Sequence, residues 1–153
     1  MANPFPFVAG SVLTAAELNG IGEAWTSYTP TLTIGINPTF TISYSKYAQV
    51  NKLIVYRFRL LTTQAGTASA AIVLSLPVLA AANGGTFLNV CGSAVIYNVS
   101  TTTSTTVAAS FRGTTSIDFI SSASTGGSPY GTSPAVTLGS GSYITGEVIY
   151  EAA

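Results

Sequence analysis

The sequence changes character near residue 30, and this change constrains the fold more than any other feature. Residues 1–28 are largely apolar and contain one helix-forming stretch, whereas the chain after Pro30 is built from short runs rich in Ser, Thr and Gly. From residue 29 onward apolar residues recur with a period of two, the pattern of a half-buried β-strand. The sequence therefore predicts an N-terminal arm over residues 1–28 and one β-domain over residues 29–153.

The β-domain contains roughly seven or eight strand-like segments separated by turn residues. In the first of them Phe40, Ile42 and Tyr44 alternate with polar residues, and in the last Ile144, Val148 and Tyr150 share one face. The other predicted strands are Ile54–Leu60, Ala70–Leu76, Leu88–Val99, Val107–Phe111 and Ser116–Ile120. This pattern, preceded by one helix, favours an all-β, antiparallel, jelly-roll-like sandwich.

The arm carries the clearest local signal in the sequence. Thr14 and Glu17 have the spacing of a helix-capping box, and Leu13 and Leu18 can form the hydrophobic staple around it. Such an arm has little to bury against within its own domain, so we expect it to dock on another protein, although a lid over one end of its own sandwich is the alternative. The predicted docking residues are Phe5, Phe7, Val8, Leu13, Leu18, Ile21 and Trp25.

Charged residues are unusually scarce. Only 7% of the residues are charged and the net charge is zero, whereas about 25% is usual in soluble domains. Because net charge opposes association, we expect a homo-oligomer or lattice; a monomer solubilised by hydroxyl groups is the alternative. The predicted charge contacts, within the chain or between subunits, involve Lys52, Arg57, Arg59, Glu147 and Glu151.

The composition argues against several functional classes. Histidine is absent and the single Cys91 has no cysteine partner, so the commonest general base and the usual zinc sites are missing. Glu147 and Glu151 would lie about 13 Å apart on one strand, too far for a glycosidase pair. We therefore predict no enzyme activity, no metal and no cofactor.

Two kinds of partner are also disfavoured. Lys52, Arg57 and Arg59 form the only basic cluster, which is too small for the phosphate contacts that nucleic-acid binding requires. The longest apolar run, from Ala70 to Ala82, is interrupted and too short to span a bilayer. Among the fifteen aromatic residues, Tyr130 stands in the irregular segment 121–141 and is the candidate for stacking on a sugar.

Several motifs resemble those of tailed-bacteriophage virion proteins. The stretch PFVAGSVLTAAELNGIGEAWTSYTPTLT combines a GxVLTAxxLN arm with a WxxYTPTLT strand, and YAQVNKLIVYRF and LSLP follow it. The resemblance covers the arm and the first half of the β-domain. It implies a homotrimeric β-sandwich on the surface of the phage particle, made in the host cytoplasm and fixed by its arm to other virion proteins.

A chain of this length with one sandwich favours a non-enzymatic capsid decoration or cement protein whose partner is the major capsid protein. The alternative is a tail or head fibre module that binds a host receptor or carbohydrate, with Tyr130 in its receptor loop. These two hypotheses differ in what the exposed surface of the domain must offer. A decoration protein needs contacts with copies of itself, and a receptor module needs a ligand site.

Overall fold

The computed structural model describes residues 25–82 and 89–153. In these ranges every regular element is a β-strand. Nine strands follow in chain order: β1 Thr26–Ser27, β2 Leu32–Ile34, β3 Phe40–Val50, β4 Leu53–Thr62, β5 Ile72–Ser75, β6 Val90–Asn98, β7 Thr103–Arg112, β8 Ser116–Ile120 and β9 Tyr143–Glu151.

The nine strands form one antiparallel sheet in the order β1-β3-β4-β9-β6-β7-β8-β5-β2. Short turns explain the hairpin β3-β4 and the meander β6-β7-β8, because adjacent antiparallel strands need only a few connecting residues. The last strand, β9, lies between β4 and β6 and joins these two units. The all-β antiparallel fold predicted from the sequence is confirmed.

The sheet is strongly curled. Phe58 of β4 and Phe119 of β8 are four strand spacings apart in the sheet order, which would separate them by about 19 Å if the sheet were flat. Their ring centroids are 6.3 Å apart. The curl therefore brings the two halves of the sheet face to face and encloses the core between them.

Alternation along each strand directs apolar side chains into this core. In β4, Ile54, Tyr56, Phe58 and Leu60 are all buried, whereas the intervening arginines are exposed. The edges of the sheet also approach each other, since the Tyr28 hydroxyl lies 2.7 Å from Ser75 Oγ. Tyr28 follows β1 directly, and Ser75 ends β5, which neighbours β2.

The N-terminal arm lies mostly outside the described residues, as does the helix predicted within it. The part that is described, from Trp25, enters the sheet: Thr26 pairs with Tyr47 and Ser27 with Lys46 in β3. The first described strand, Thr26–Ser27, thus falls within the segment that the sequence analysis assigned to the arm. The polar residues of β1 gave no alternation signal, because two residues are too few to show a period.

One face assignment in β3 is wrong. The alternation of Phe40, Ile42 and Tyr44 predicted that all three share a face, but the register shifts between Ile42 and Tyr44. A β-bulge adds one residue to its strand and so reverses the side-chain alternation beyond it. Tyr44 consequently lies exposed opposite Arg59, and Ser45 is buried instead.

Candidate functional site

The outer face of the curled sheet brings charged and hydroxyl side chains together. Five neighbouring strands, β3, β4, β9, β6 and β7, place residues in register across this face. One row of paired residues is Lys46, Arg57, Glu147, Ser93 and Ala108, and the next is Tyr44, Arg59, Thr145, Val95 and Thr106.

Except for Lys46 and Ala108, the residues of these two rows line an open depression of about 570 Å³, which we call the outer groove. We define it by eight outward-facing residues: Tyr44, Arg57, Arg59, Ser93, Val95, Thr106, Thr145 and Glu147. Because adjacent strands contribute directly opposed side chains, their spacing is fixed by the ladder of backbone hydrogen bonds rather than by flexible loops. The groove is thus a preformed surface.

The charged groups of the outer groove differ in their partners. Arg57 Nε lies 3.2 Å from Glu147 Oε2, with both side chains about half exposed. Arg59, on the same face of β4, has its guanidinium carbon 5.3 Å from the centroid of the Tyr143 ring. Among the described residues, no carboxylate lies within ion-pair distance of Arg59.

Aromatic rings border the groove on the β3 side and beyond the Arg59 row. Tyr143 stacks on Tyr97 of β6, with ring centroids 5.0 Å apart and an interplanar angle of 21°. On the β3 side, Lys46 Nζ lies 5.9 Å from the centroid of the Tyr44 ring. These contacts place two cations against aromatic faces, an arrangement that stabilises a guanidinium or ammonium group near a surface.

Beyond the Arg57 row the outer face becomes apolar. Val55 pairs directly with Ile149, and Val50 pairs with Leu53 next to the β3-β4 turn. Val50, Leu53 and Ile149 are 55%, 50% and 49% exposed. We call these four residues, Val50, Leu53, Val55 and Ile149, the apolar outer patch.

Tyr130 does not lie on the surface. It is 4% exposed, its backbone N–H donates to the Phe119 carbonyl, and its hydroxyl donates to Thr105 Oγ1 at 3.2 Å. Its ring therefore packs in the core, and the prediction that it stacks on a sugar is corrected. The surrounding Gly, Ser and Thr residues suggested a loop, but they did not show that the segment folds back over the sheet.

The remaining predicted site residues lie in different places. Arg57 and Glu147 form the ion pair described above, within one chain, as one of the two sequence interpretations expected. Lys52 and Glu151 are exposed near the β3-β4 turn and at the end of β9. Trp25 is exposed immediately before β1. Phe5, Phe7, Val8, Leu13, Leu18 and Ile21 lie outside the described residues.

Two titratable groups elsewhere are perturbed by burial. Burial raises the pKa of the Cys91 thiol to about 12. It also raises the pKa of Asp118, although Arg112 Nη1, 3.8 Å from the carboxylate, opposes this shift. Neither residue lies in the outer groove, and no group of three or more metal-ligating side chains was found in residues 25–82 and 89–153.

The described part of the chain contains no helix of the length and apolar character needed to cross a membrane. Comparisons with protein-family models, with curated proteins and with solved structures gave no match. The outer groove and the apolar outer patch therefore have to be interpreted from their own chemistry.

Proposed function

We propose that this protein is a non-enzymatic structural protein of a tailed-bacteriophage particle. In this proposal it is a homotrimeric capsid decoration or cement protein on the virion surface, anchored to the major capsid protein by its N-terminal arm. The observation that carries the proposal is the apolar outer patch on a surface with very little charge. A patch of this kind is a feature of surfaces that bind other proteins.

The geometry of the patch suits contact between identical subunits. Val50, Leu53, Val55 and Ile149 belong to three neighbouring strands, so they form a rigid surface that loses little conformational entropy on association. Lys52 and Glu151 lie beside them and carry opposite charges. In this proposal they supply complementary contacts across a subunit boundary.

The curl of the sheet supports the finer fold assignment within this proposal, a jelly-roll-like sandwich. Contacts such as Phe58 with Phe119 come from strands on opposite sides of the enclosed core. A sandwich with a rigid outer face and an arm at its N-terminus can bind its own copies through the outer face and the phage particle through the arm. The two attachments are thus separable by mutation.

The first experiment measures self-association. Ile149→Lys places a charge in the apolar outer patch, and because Ile149 is half exposed the subunit should remain folded. We expect the dissociation constant of the trimer to rise by roughly tenfold or more, measured by sedimentation equilibrium. Ile36→Lys is the matched control, since Ile36 is similarly exposed but precedes the start of β3, whereas the patch lies at the other end of that strand.

A wild-type protein that sediments only as a 15.6 kDa monomer at micromolar concentration would contradict the homotrimer. Equal effects of Ile149→Lys and Ile36→Lys would show that the patch is not the interface.

The second experiment removes the arm. Deletion of residues 1–24 leaves β1 and Tyr28 in place, so the truncated protein should keep the far-ultraviolet circular dichroism of a β-protein and should no longer join phage particles. A truncated protein that cannot fold would mean that the arm belongs to its own core. Normal incorporation into particles would contradict the anchoring role.

The alternative function is a fibre module that binds a host receptor or carbohydrate. The burial of Tyr130 removes the ligand contact first assigned to it. The outer groove, with exposed arginines and hydroxyl groups, is the observation that keeps this function as a second candidate. The receptor-binding hypothesis predicts that substitutions in the outer groove reduce adsorption to host cells while leaving particle assembly intact.

A further inference from the structure

Arg59 is a cation that is held in position without an acidic partner in the described chain. Its guanidinium lies against the ring of Tyr143, and Tyr143 is itself stacked on Tyr97. This arrangement restricts the side chain, and because Arg59 is exposed its N–H donors are accessible to solvent or a ligand. Arginine presents these donors in a planar fork that matches a carboxylate.

The neighbouring pair supplies a second kind of recognition. Arg57 and Glu147 are joined at 3.2 Å and remain about half exposed, so together they offer unused donors and acceptors side by side. Adjacent hydroxyl groups on a ligand can bond to both at once. Because Arg57 already balances Glu147, the positive charge of Arg59 is left for the ligand.

The rest of the groove fits a polyhydroxylated molecule. Ser93, Thr106 and Thr145 contribute hydroxyl groups along its length, and the exposed ring of Tyr44 stands at its β3 side. A volume of about 570 Å³ lies within the ordinary range for small-molecule sites. Aromatic rings provide apolar faces on which sugar C–H groups can pack.

We propose that the outer groove binds an acidic saccharide. The carboxylate of one sugar unit pairs with Arg59, its hydroxyl groups bond to Arg57 and Glu147, and a neighbouring unit packs against Tyr44. A nucleic acid is disfavoured because Lys46, Arg57 and Arg59 are the only cations on this part of the face. The proposal is independent of where the protein lies in a phage particle.

The test uses the full-length protein and isothermal titration calorimetry. The probes are trisaccharides of galacturonic acid and of glucuronic acid, their methyl esters, inorganic phosphate and a short single-stranded DNA. We expect at least one acidic trisaccharide to bind, its uncharged ester to bind roughly tenfold or more weakly, and the affinity to fall as salt rises. Phosphate and DNA should not compete at equal concentration.

Variants locate the binding site. Arg59→Gln should weaken the acidic trisaccharide by roughly tenfold or more, and Arg59→Lys should restore only part of the affinity because it keeps the charge but loses the planar fork. Arg112→Gln is the matched control, since Arg112 lies at the end of β7, outside the groove. It should leave the affinity unchanged.

Several results would overturn the proposal. Absence of binding by both acidic trisaccharides at millimolar concentration would exclude the ligand class. Equal affinity for acid and ester would remove the role of the carboxylate. Equal competition by phosphate or DNA would mean a general anion effect, and full affinity in Arg59→Gln would place any binding elsewhere.

Discussion

Replacing Phe58 and Phe119 by leucine, singly and together, should reveal an energetic coupling between β4 and β8. The two strands are separated by three others in the sheet, yet the ring centroids are 6.3 Å apart with an interplanar angle of 56°. Aromatic pairs in this range add about 0.5–1.5 kcal/mol beyond the area they bury. Since 6.3 Å is towards the far end of the favourable range, we expect a coupling of about 0.5–1 kcal/mol.

Leucine is chosen because it keeps most of the buried volume. Each single change should lower the free energy of unfolding by about 1.5 kcal/mol. The double variant should lose less than the sum of the two, because removal of the first ring already abolishes the pair. A domain with about 5–15 kcal/mol of stability tolerates this loss, so urea unfolding followed by circular dichroism can measure all four proteins.

The control cycle combines Phe58→Leu with Tyr97→Leu. Tyr97 is only two strand spacings from β4, but it lies on the outer face beside Tyr143. The losses of unfolding free energy caused by Phe58→Leu and Tyr97→Leu should add to within about 0.5 kcal/mol. Equally additive behaviour of Phe58 and Phe119 would refute the curl, because a flat sheet would hold their rings about 19 Å apart.

Two further predictions follow from the pKa shifts. Burial raises the pKa of Asp118 above its usual 3.8, so the folded protein binds the carboxyl proton more tightly than the unfolded chain does. The resulting stabilisation of the folded state is present at low pH and is lost as the pH rises through the folded-state pKa. Asp118→Asn should therefore raise the urea midpoint at pH 7 but not at about pH 3, and a lower midpoint at pH 7 would mean that the contact with Arg112 outweighs burial. The raised pKa of Cys91, about 12, predicts that iodoacetamide alkylates the thiol at least a hundredfold more slowly in the folded protein than in urea, and equal rates would contradict its burial.

Much of the fold was accessible to sequence reasoning because alternation is a local property. The inward residues of β4 and β9 followed directly from their period of two, and Ile54, Tyr56, Phe58 and Leu60 of β4 and Ile144, Val148 and Tyr150 of β9 are buried as this pattern predicts. The bulge in β3 could not be predicted from the sequence, because the alternation around Ser43, the extra residue, looks regular. The burial of Tyr130 depends on how segment 121–141 crosses the sheet, which no local pattern records.

The candidate site was only partly accessible for a related reason. Opposite charges in two strand-like segments predicted a contact between Arg57 and Glu147, and the structure pairs them. The groove itself requires β9 to lie between β4 and β6, a long-range arrangement that strand spacing cannot specify. The exposure of Tyr44 beside this groove arises from the β3 bulge, which the sequence interpretation had missed.

We propose that this chain is a trimeric component of the phage surface, and cryo-electron microscopy of purified particles can decide whether it is. Particles assembled with the chain should be compared with particles assembled without it. We predict three-fold density for the β-domain on the outside of the capsid, with the N-terminal arm against the major capsid protein, and no such density when the chain is omitted. Identical reconstructions, with no copies of the chain in either particle, would show that the protein is not a component of the phage surface.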